Sequence, residues 1–327
     1  MKTELKFIHF TYKTLSGKEY NIPLSYQLFG QQLFSAPIIL VNHALTGNSQ
    51  VCGENGWWKN LIGENQAVDL QKYTILCFNI PGNGFDGNLI HDFHDFTCAD
   101  IASVFLKGLD LLKINSLKAI IGGSLGGAIG WEMLALKPDL AEIFVPIACD
   151  YKTHDWLFAQ CKIQEILLHQ NENPLQNARM HAMLCYRTPE SLNDRFKNRF
   201  NEEKKRRDSE DWLIHHGNIL NQRFTPEAYR MMNHLLMKIN ADEEKLHQIE
   251  AEILLVSINT DLFFPASEIR MCYQDLKKKK QNVFYREIKS IHGHDAFLME
   301  YQQLSEIIKD IFKKEKAVFT GFADLQQ

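Results

Sequence analysis

A series of short apolar runs, separated by segments with helical periodicity, is the feature that most restricts the fold of this 327-residue chain. Continuous apolar runs of this length are typical of strands buried on both faces, as in parallel sheets. The runs are PIILVNHAL, YTILCFNI, LKAIIGG, EIFVPIAC and AEILLVSI. Because helical segments lie between several of them, the strands would be joined by crossover connections. The sequence therefore predicts a mostly parallel, doubly wound α/β sheet with helices on both faces.

The pattern changes between about residues 150 and 250. Strand-like runs are absent there, and segments such as DWLFAQCKIQEILLHQ carry helical periodicity instead. The strand pattern returns after this stretch. We therefore predict a core formed by residues 1–150 and 250–327, with a helical lid inserted at 151–249. An insertion at that point would lie over the carboxyl ends of the strands, where α/β proteins place their sites.

Composition argues against several classes of protein. The formal net charge of -4 gives no basic excess for a nucleic-acid partner. No stretch approaches the roughly 20 apolar residues of a membrane helix, and residues 1–10 alternate polar and apolar side chains, unlike a signal peptide. The seven cysteines include no C-x-x-C pair, which indicates neither a disulfide framework nor a zinc site. We expect a cytoplasmic protein with no nucleic-acid or membrane partner.

The run LKAIIGG leads into GGSLGG at 122–127, which matches G-x-S-x-G with Ser124 as the central serine. Glycines on either side permit a sharp turn, because they have no Cβ to collide with the neighbouring strand and helix. The strand–turn–helix context favours a nucleophile elbow over a serine that only caps a helix. It also disfavours a phosphate-binding loop, since G-x-G-x-x-G is not met in register. The Leu125 amide, at the start of a helix, is positioned to donate to an oxyanion.

A nucleophilic serine needs a base, and the base needs an acid that orients it. In the α/β-hydrolase fold the acid and the histidine follow the serine in that order. Asp261 follows the buried run AEILLVSI, and His294 follows the last strand-like run, so both would reach the carboxyl edge of the sheet. His292 is an alternative base. The order Ser124, Asp261, His294 fits the chain-order rule, which leaves the choice between His294 and His292 as base open.

Three other assignments concern the surroundings of this triad. Leu45 lies in the turn after PIILVNHAL, where the second oxyanion amide is expected. Asp295 is open to two interpretations, as a helix cap or as a substrate-binding group. His292, His294 and Asp295 could be drawn as metal ligands, but no partner cluster occurs elsewhere in the sequence, so no metal site is predicted.

Several motifs, taken in order, resemble the homoserine O-acetyltransferase family, a branch of the α/β-hydrolase fold with a helical lid. They are NHALTGNS at 42–49, GWWKNLIG at 56–63, GGSLGG at 122–127, DLFFP at 261–265 and GHDAFL at 293–298. The resemblance runs from about Leu24 to Ile311. It implies that Ser124 takes an acyl group from a coenzyme A thioester, with His294 rather than His292 as base.

The resemblance also implies roles for the residues around the triad. The Leu45 and Leu125 amides would form the oxyanion hole. In NARMHAMLCYRTPE, Arg179 would grip the carboxylate of L-homoserine and Tyr186 would line the pocket, while Asp295 would take the substrate ammonium. The implied reaction belongs to methionine biosynthesis. Acyl-CoA, most simply acetyl-CoA, would be a co-substrate with no permanently bound cofactor, and the chain would form a homodimer through the lid.

The sequence also departs from the family pattern. NIPGNGFDGNLIHDFHDF is shorter than the family's usual loop, Leu125 replaces the usual methionine, and the lid looks shortened. The donor, acetyl or succinyl, and the acceptor, homoserine or serine, therefore stay open. An esterase or thioesterase would use the same triad. A non-catalytic binding protein would be expected to have lost part of it, and all three members are present.

Overall fold

The computed structural model, which describes residues 4–170 and 172–312, contains a central sheet of eight strands. In chain order they are β1 (Lys6–Lys13), β2 (Glu19–Gly30), β3 (Ile38–Asn42), β4 (Thr74–Phe78), β5 (Leu117–Gly123), β6 (Ala141–Ile147), β7 (Glu252–Ile258) and β8 (Val283–Ile288). Across the sheet the order is β1-β2-β4-β3-β5-β6-β7-β8. β2 pairs antiparallel with β1 and β4, and all other neighbours are parallel. The predicted mostly parallel sheet is confirmed.

Helices cover both faces of this sheet. In chain order, the α-helices of the described residues are α1 (Cys98–Leu111), α2 (Leu125–Leu136), α3 (Asp155–Leu168), α4 (Pro174–Tyr186), α5 (Pro189–Phe196), α6 (Asp208–Asn221), α7 (Pro226–Leu236), α8 (Glu243–Leu246), α9 (Ala266–Lys279) and α10 (Tyr301–Phe312). Neighbouring side chains of β3 point to opposite faces. Leu40 packs into the core beneath α1 and α2, whereas Ile39 and Val41 pack into a second core that includes α10. The doubly wound arrangement is therefore built from two hydrophobic layers.

The stretch between β6 and β7 is helical. Within the described residues it contains six helices, α3 to α8, and no strand of the central sheet. Pro174, Pro189 and Pro226 each open a helix, where the missing N–H of proline costs nothing. The Thr188 and Thr225 side chains cap α5 and α7 by accepting a hydrogen bond from a first-turn amide. The division into core and lid stays a prediction, and residues 313–327 of the predicted core lie outside the described residues.

In the described parts of the chain, every helix is too short or too polar to pass through a bilayer.

Acid should destabilise this fold in part through His234 on α7. The imidazole is buried, with Nε2 3.1 Å from the carbonyl oxygen of Phe96, and burial lowers its pKa to about 4. The unfolded chain therefore binds a proton between about pH 6.5 and 4 that the folded chain does not, so the free energy of unfolding falls as the pH falls. His234→Gln keeps a donor for the carbonyl but does not titrate. We expect this variant to lose about 1–2 kcal/mol less than the wild type between pH 7 and 5.

Urea unfolding of both proteins at pH 7 and pH 5 measures this difference. Equal losses in the two proteins would show that His234 does not contribute to acid destabilisation.

Candidate active site

Ser124 stands at the turn between β5 and α2. Its backbone has φ 54° and ψ -128°, a positive φ that residues other than glycine rarely adopt. The turn is held by hydrogen bonds: the Ser124 amide donates to the carbonyl oxygen of Ile147 (2.8 Å), and the Gly127 amide donates to the carbonyl oxygen of Ser124 (2.9 Å). This strained strand-to-helix turn is the geometry of a nucleophile elbow.

Glycines beside the serine are required by backbone packing. A Cβ on Gly122 would lie 2.5 Å from the carbonyl carbon of Gly126. A Cβ on Gly126 would lie 2.2 Å from the carbonyl oxygen of Asn42 and 2.7 Å from that of His43. The elbow therefore packs against itself and against the backbone at the end of β3 and directly after it.

The structure brings Ser124, His294 and Asp261 together. His294 Nε2 lies 3.0 Å from Ser124 Oγ, and His294 Nδ1 lies 2.7 Å from Asp261 Oδ2. All three side chains are buried, with exposed fractions of 3%, 4% and 5% respectively. These distances permit His294 to act as the base towards Ser124 while Asp261 holds its ring.

Asp261 is itself fixed by the chain that follows it. Its second carboxylate oxygen, Oδ1, accepts hydrogen bonds from the amides of Phe263 (2.7 Å) and Phe264 (2.9 Å). The motif DLFFP thus folds back on its own aspartate, directly after β7. This leaves Oδ2 directed at His294.

His292 is directed away from the serine. Its Nδ1 lies 2.9 Å from Ser191 Oγ on α5. Of the two histidines that the sequence offered as base, the structure therefore brings His294 to Ser124. In the part of the chain that the structure describes, no three His, Cys, Asp or Glu side chains are grouped as metal ligands.

Aromatic side chains surround the His294 ring. Four ring centroids lie 5.1–5.7 Å from it, those of Tyr186, Phe263, Phe264 and Phe297. Tyr186 comes from α4, and burial raises the pKa of its phenol well above the ordinary value. Such a wall excludes water and strengthens electrostatic interactions within the site.

The two predicted oxyanion amides are free. Leu125 is the first residue of α2, and Leu45 follows β3 in the loop that contacts the elbow. Among residues 4–170 and 172–312, neither the Leu45 nor the Leu125 amide has a hydrogen-bond acceptor within the protein. A buried amide without an acceptor is costly unless a ligand completes it. Their role as oxyanion donors stays a prediction.

Arg179 lies beside Tyr186. Its guanidinium carbon is 5.8 Å from the centre of the Tyr186 ring, and within the described residues no carboxylate lies at ion-pair distance from it. The arginine therefore holds an uncompensated positive charge next to the aromatic wall of the site. This position is compatible with the predicted contact between Arg179 and the substrate carboxylate. That role stays a prediction.

Asp295 has a partner that the sequence did not reveal. Its Oδ2 accepts a hydrogen bond from Arg187 Nε at 2.9 Å, and both side chains are largely buried. The Arg187 guanidinium also lies 6.0 Å from the Trp212 ring. A substrate ammonium at Asp295 would therefore share the carboxylate with Arg187. The only sequence signal for Arg187 was its position next to Tyr186, in a segment already marked for the site.

Removing Arg187 should destabilise the protein through Asp295. Arg187→Ala leaves a largely buried carboxylate without its partner, and we expect the free energy of unfolding to fall by about 2–3 kcal/mol. Asp295→Asn in the same background removes the unpaired charge and should restore part of that loss. Urea unfolding of both single variants and the double variant measures the coupling. Strictly additive losses would show that the ion pair contributes nothing.

The sequence of this chain is similar to those of known proteins. Residues 37–145 match the family model of the α/β-hydrolase fold. The homoserine O-acetyltransferase of Chloroherpeton thalassium is 32% identical over 83% of this chain and 78% of its own length. That of Deinococcus radiodurans is 30% identical over 88% of this chain and 85% of its own length.

Solved structures show the same fold. A homoserine O-acetyltransferase from Bacillus anthracis superposes with a TM-score of 0.86 at 17% identity, covering 98% of this chain and 100% of that chain. The esterase E22 superposes with a TM-score of 0.84 at 18% identity, covering 94% of this chain and 99% of that chain. At these identities the structural likeness extends to the fold and leaves transfer and hydrolysis undecided.

Proposed function

This chain belongs to the homoserine O-acetyltransferase family of the α/β-hydrolase fold, and we propose that it transfers an acetyl group from acetyl-CoA to the hydroxyl of L-homoserine. The reaction would serve methionine biosynthesis. The observation that carries the proposal is the buried chain of hydrogen bonds from Ser124 Oγ through His294 to Asp261, at 3.0 and 2.7 Å.

In the first half-reaction Ser124 becomes acetylated. His294 Nε2 takes the hydroxyl proton as Oγ attacks the thioester carbonyl, and the negative oxygen that forms is held by the Leu45 and Leu125 amides. The C–S bond then breaks, and His294 returns the proton to the departing thiolate. An oriented base contributes on the order of 10²–10⁴-fold, and one oxyanion donor about 3–4 kcal/mol.

In the second half-reaction the homoserine hydroxyl attacks the acetyl-serine ester. His294 accepts the proton of the incoming hydroxyl and passes it to Ser124 Oγ as the ester breaks, which releases O-acetylhomoserine. Asp261 stabilises the imidazolium in both halves. Since water could attack the same ester, the burial of the triad and its aromatic surroundings support transfer over hydrolysis.

Arg179 is proposed to bind the acceptor carboxylate, with Tyr186 as the wall of the pocket and Asp295 facing the ammonium. Arg179→Met should raise KM for L-homoserine by about 30–160-fold, because a charge-assisted hydrogen bond contributes about 2–3 kcal/mol. The rate of enzyme acetylation by acetyl-CoA should stay within about threefold.

Arg195→Met is the matched control for this test. Arg195 lies over the Phe196 and Trp212 rings, and the variant should change neither KM nor the acetylation rate appreciably. An unchanged KM for homoserine in Arg179→Met would remove Arg179 from the acceptor site.

Release of free thiol from acyl-CoA tests the function itself. Acetyl-CoA and succinyl-CoA are each supplied with L-homoserine, with L-serine or with no acceptor. We expect thiol release over many turnovers only with acetyl-CoA and L-homoserine together, and release of at most one thiol per enzyme from acetyl-CoA alone. Release that continues at the same rate over many turnovers without an acceptor would indicate a thioesterase, and faster release with serine would indicate a serine O-acyltransferase. Sedimentation of the same protein would test the proposed homodimer.

A further inference from the structure

His43 is a buried histidine outside the triad. It follows β3 directly, and its exposed fraction is 1%. Its Nε2 lies 3.0 Å from the amide nitrogen of Ile80, and its Nδ1 lies 2.8 Å from the carbonyl oxygen of Ala44. Because an amide can only donate, Nε2 must be an acceptor and the ring proton must be on Nδ1. His43 therefore donates to the Ala44 carbonyl.

The ring is anchored from the loop that follows β4. Asn83 Nδ2 lies 3.3 Å from His43 Nε2, and the same amide nitrogen donates to Asn79 Oδ1 at 3.4 Å. Asn79 Oδ1 in turn accepts from the Ser49 amide at 2.7 Å. Burial lowers the pKa of His43 to about 4, so the ring is neutral and keeps this tautomer at pH 7. The hydrogen bonds thus fix both the orientation of the ring and the position of its proton.

The carbonyl that His43 holds belongs to the peptide unit of the Leu45 amide. The unit is trans, and in a planar trans peptide the C=O and N–H bonds point in opposite directions. The Ala44 oxygen accepts from Gly47 N (2.8 Å) as well as from His43 Nδ1 (2.8 Å). Two donors on one oxygen restrict rotation of the peptide plane. They therefore set the direction of the Leu45 N–H.

The segment that leads to the Leu45 amide also packs against the nucleophile elbow. Gly126 approaches the carbonyl oxygens of Asn42 and His43 so closely that no Cβ fits between them. The Leu45 amide, two residues further along, has no acceptor in the described structure. A rotation of the Ala44–Leu45 peptide would therefore move an unoccupied donor relative to Ser124.

We propose that His43 is a positioning residue that orients the Leu45 amide towards the oxyanion by holding the Ala44 carbonyl. The inference rests on the proposed roles of Ser124 and Leu45 and is independent of the acceptor that the enzyme uses. His43 touches no reacting atom in this account. It acts through the peptide that it fixes before the substrate arrives.

Two variants separate the two hydrogen bonds of the ring. His43→Asn places an amide nitrogen near the position of Nδ1, which preserves donation to Ala44 but loses the acceptor for Ile80. His43→Gln places its amide near the position of Nε2, which preserves that acceptor but loses the donor. p-Nitrophenyl acetate serves as the acetyl donor in this test. We expect His43→Gln to lower kcat for acetylation of Ser124 about 10²-fold, with KM for this donor nearly unchanged. His43→Asn should lose less than about tenfold.

Ser49→Ala controls for general loosening of the loop, since Ser49 Oγ donates to Gln27 within the same buried network. It should lower stability while leaving the acetylation rate within about twofold, after correction for the folded fraction. Equal rates for His43→Gln and Ser49→Ala, or equal losses in the two His43 variants, would overturn the inference. If Ser124→Ala also kept the wild-type acetylation rate, the proposed function itself would be wrong. If Ser124→Ala shows no acetylation while His43→Gln keeps the wild-type acetylation rate, only the role of His43 would be refuted.

Discussion

Replacing Ser124 by alanine is expected to lower kcat for acetyl transfer by about 10⁵–10⁶-fold. The proposed reaction has no other acceptor for the acetyl group in the first half-reaction, because the His294 imidazole is directed at this one hydroxyl. Substrate binding should be largely preserved, since within the described residues the side-chain hydrogen bond of the removed oxygen is to the His294 imidazole. The measurement is thiol release from acetyl-CoA at saturating homoserine, with thermal unfolding as the check on the fold.

His294→Ala provides the companion measurement. Its loss should be of similar size, and the double variant should be no slower than either single variant, because serine and base act as one unit. Activity within tenfold of the wild type in Ser124→Ala would rule out the acyl-serine route. Losses that multiply in the double variant would argue that the two residues act in separate steps.

Replacing Gly126 by alanine is expected to lower the free energy of unfolding by about 3 kcal/mol or more. The added Cβ would lie 2.2 Å from the carbonyl oxygen of Asn42, and the carbonyl carbon of Asn42 is only 2.6 Å away. Both are backbone atoms, so α2 and the end of β3 would have to separate. Separation would also disturb the two predicted oxyanion amides, which flank this contact.

Gly87→Ala is the control for this substitution. Gly87 has φ +82°, and a Cβ there meets no atom within 4 Å. Its cost should be limited to backbone strain, about 1 kcal/mol. Urea unfolding compares the two variants. Similar small losses for Gly126→Ala and Gly87→Ala would show that the elbow does not need close backbone packing.

The sheet could be read from the sequence because its strands are buried on both faces. LKAIIGG is apolar or glycine at every position except Lys118, and the strand β5 covers these same residues, Leu117–Gly123. The predicted triad fits a rule of chain order: Asp261 and His294 each come after a strand, and parallel strands end at one edge. That rule left His292 open as the base, and the family resemblance favoured His294. Local pattern, topology and the family resemblance together predicted that three residues far apart in sequence meet at one point.

The contacts of Arg187 and His43 could not be read in this way. Arg187 pairs with Asp295, which is 108 positions away, and nothing in either local pattern specifies the partner. The family resemblance implied that Asp295 binds the substrate ammonium, but the sequence did not show that Arg187 pairs with this carboxylate. His43 depends on the sheet order, because β4 lies beside β3 and so brings Ile80 and Asn83 to the imidazole. Hydropathy patterns give the strands but not these side-chain partners.

The most direct test of the account is the site at which the acetyl group resides between the two half-reactions. The enzyme is mixed with acetyl-CoA without homoserine, quenched in acid and digested with trypsin, and the peptide 119–152, in which Ser124 is the one serine, is sequenced by mass spectrometry. The account predicts one acetyl group on Ser124 that disappears when L-homoserine is added before the quench. A peptide that stays unmodified under conditions where homoserine is acetylated, or an acetyl group on another residue, would contradict it.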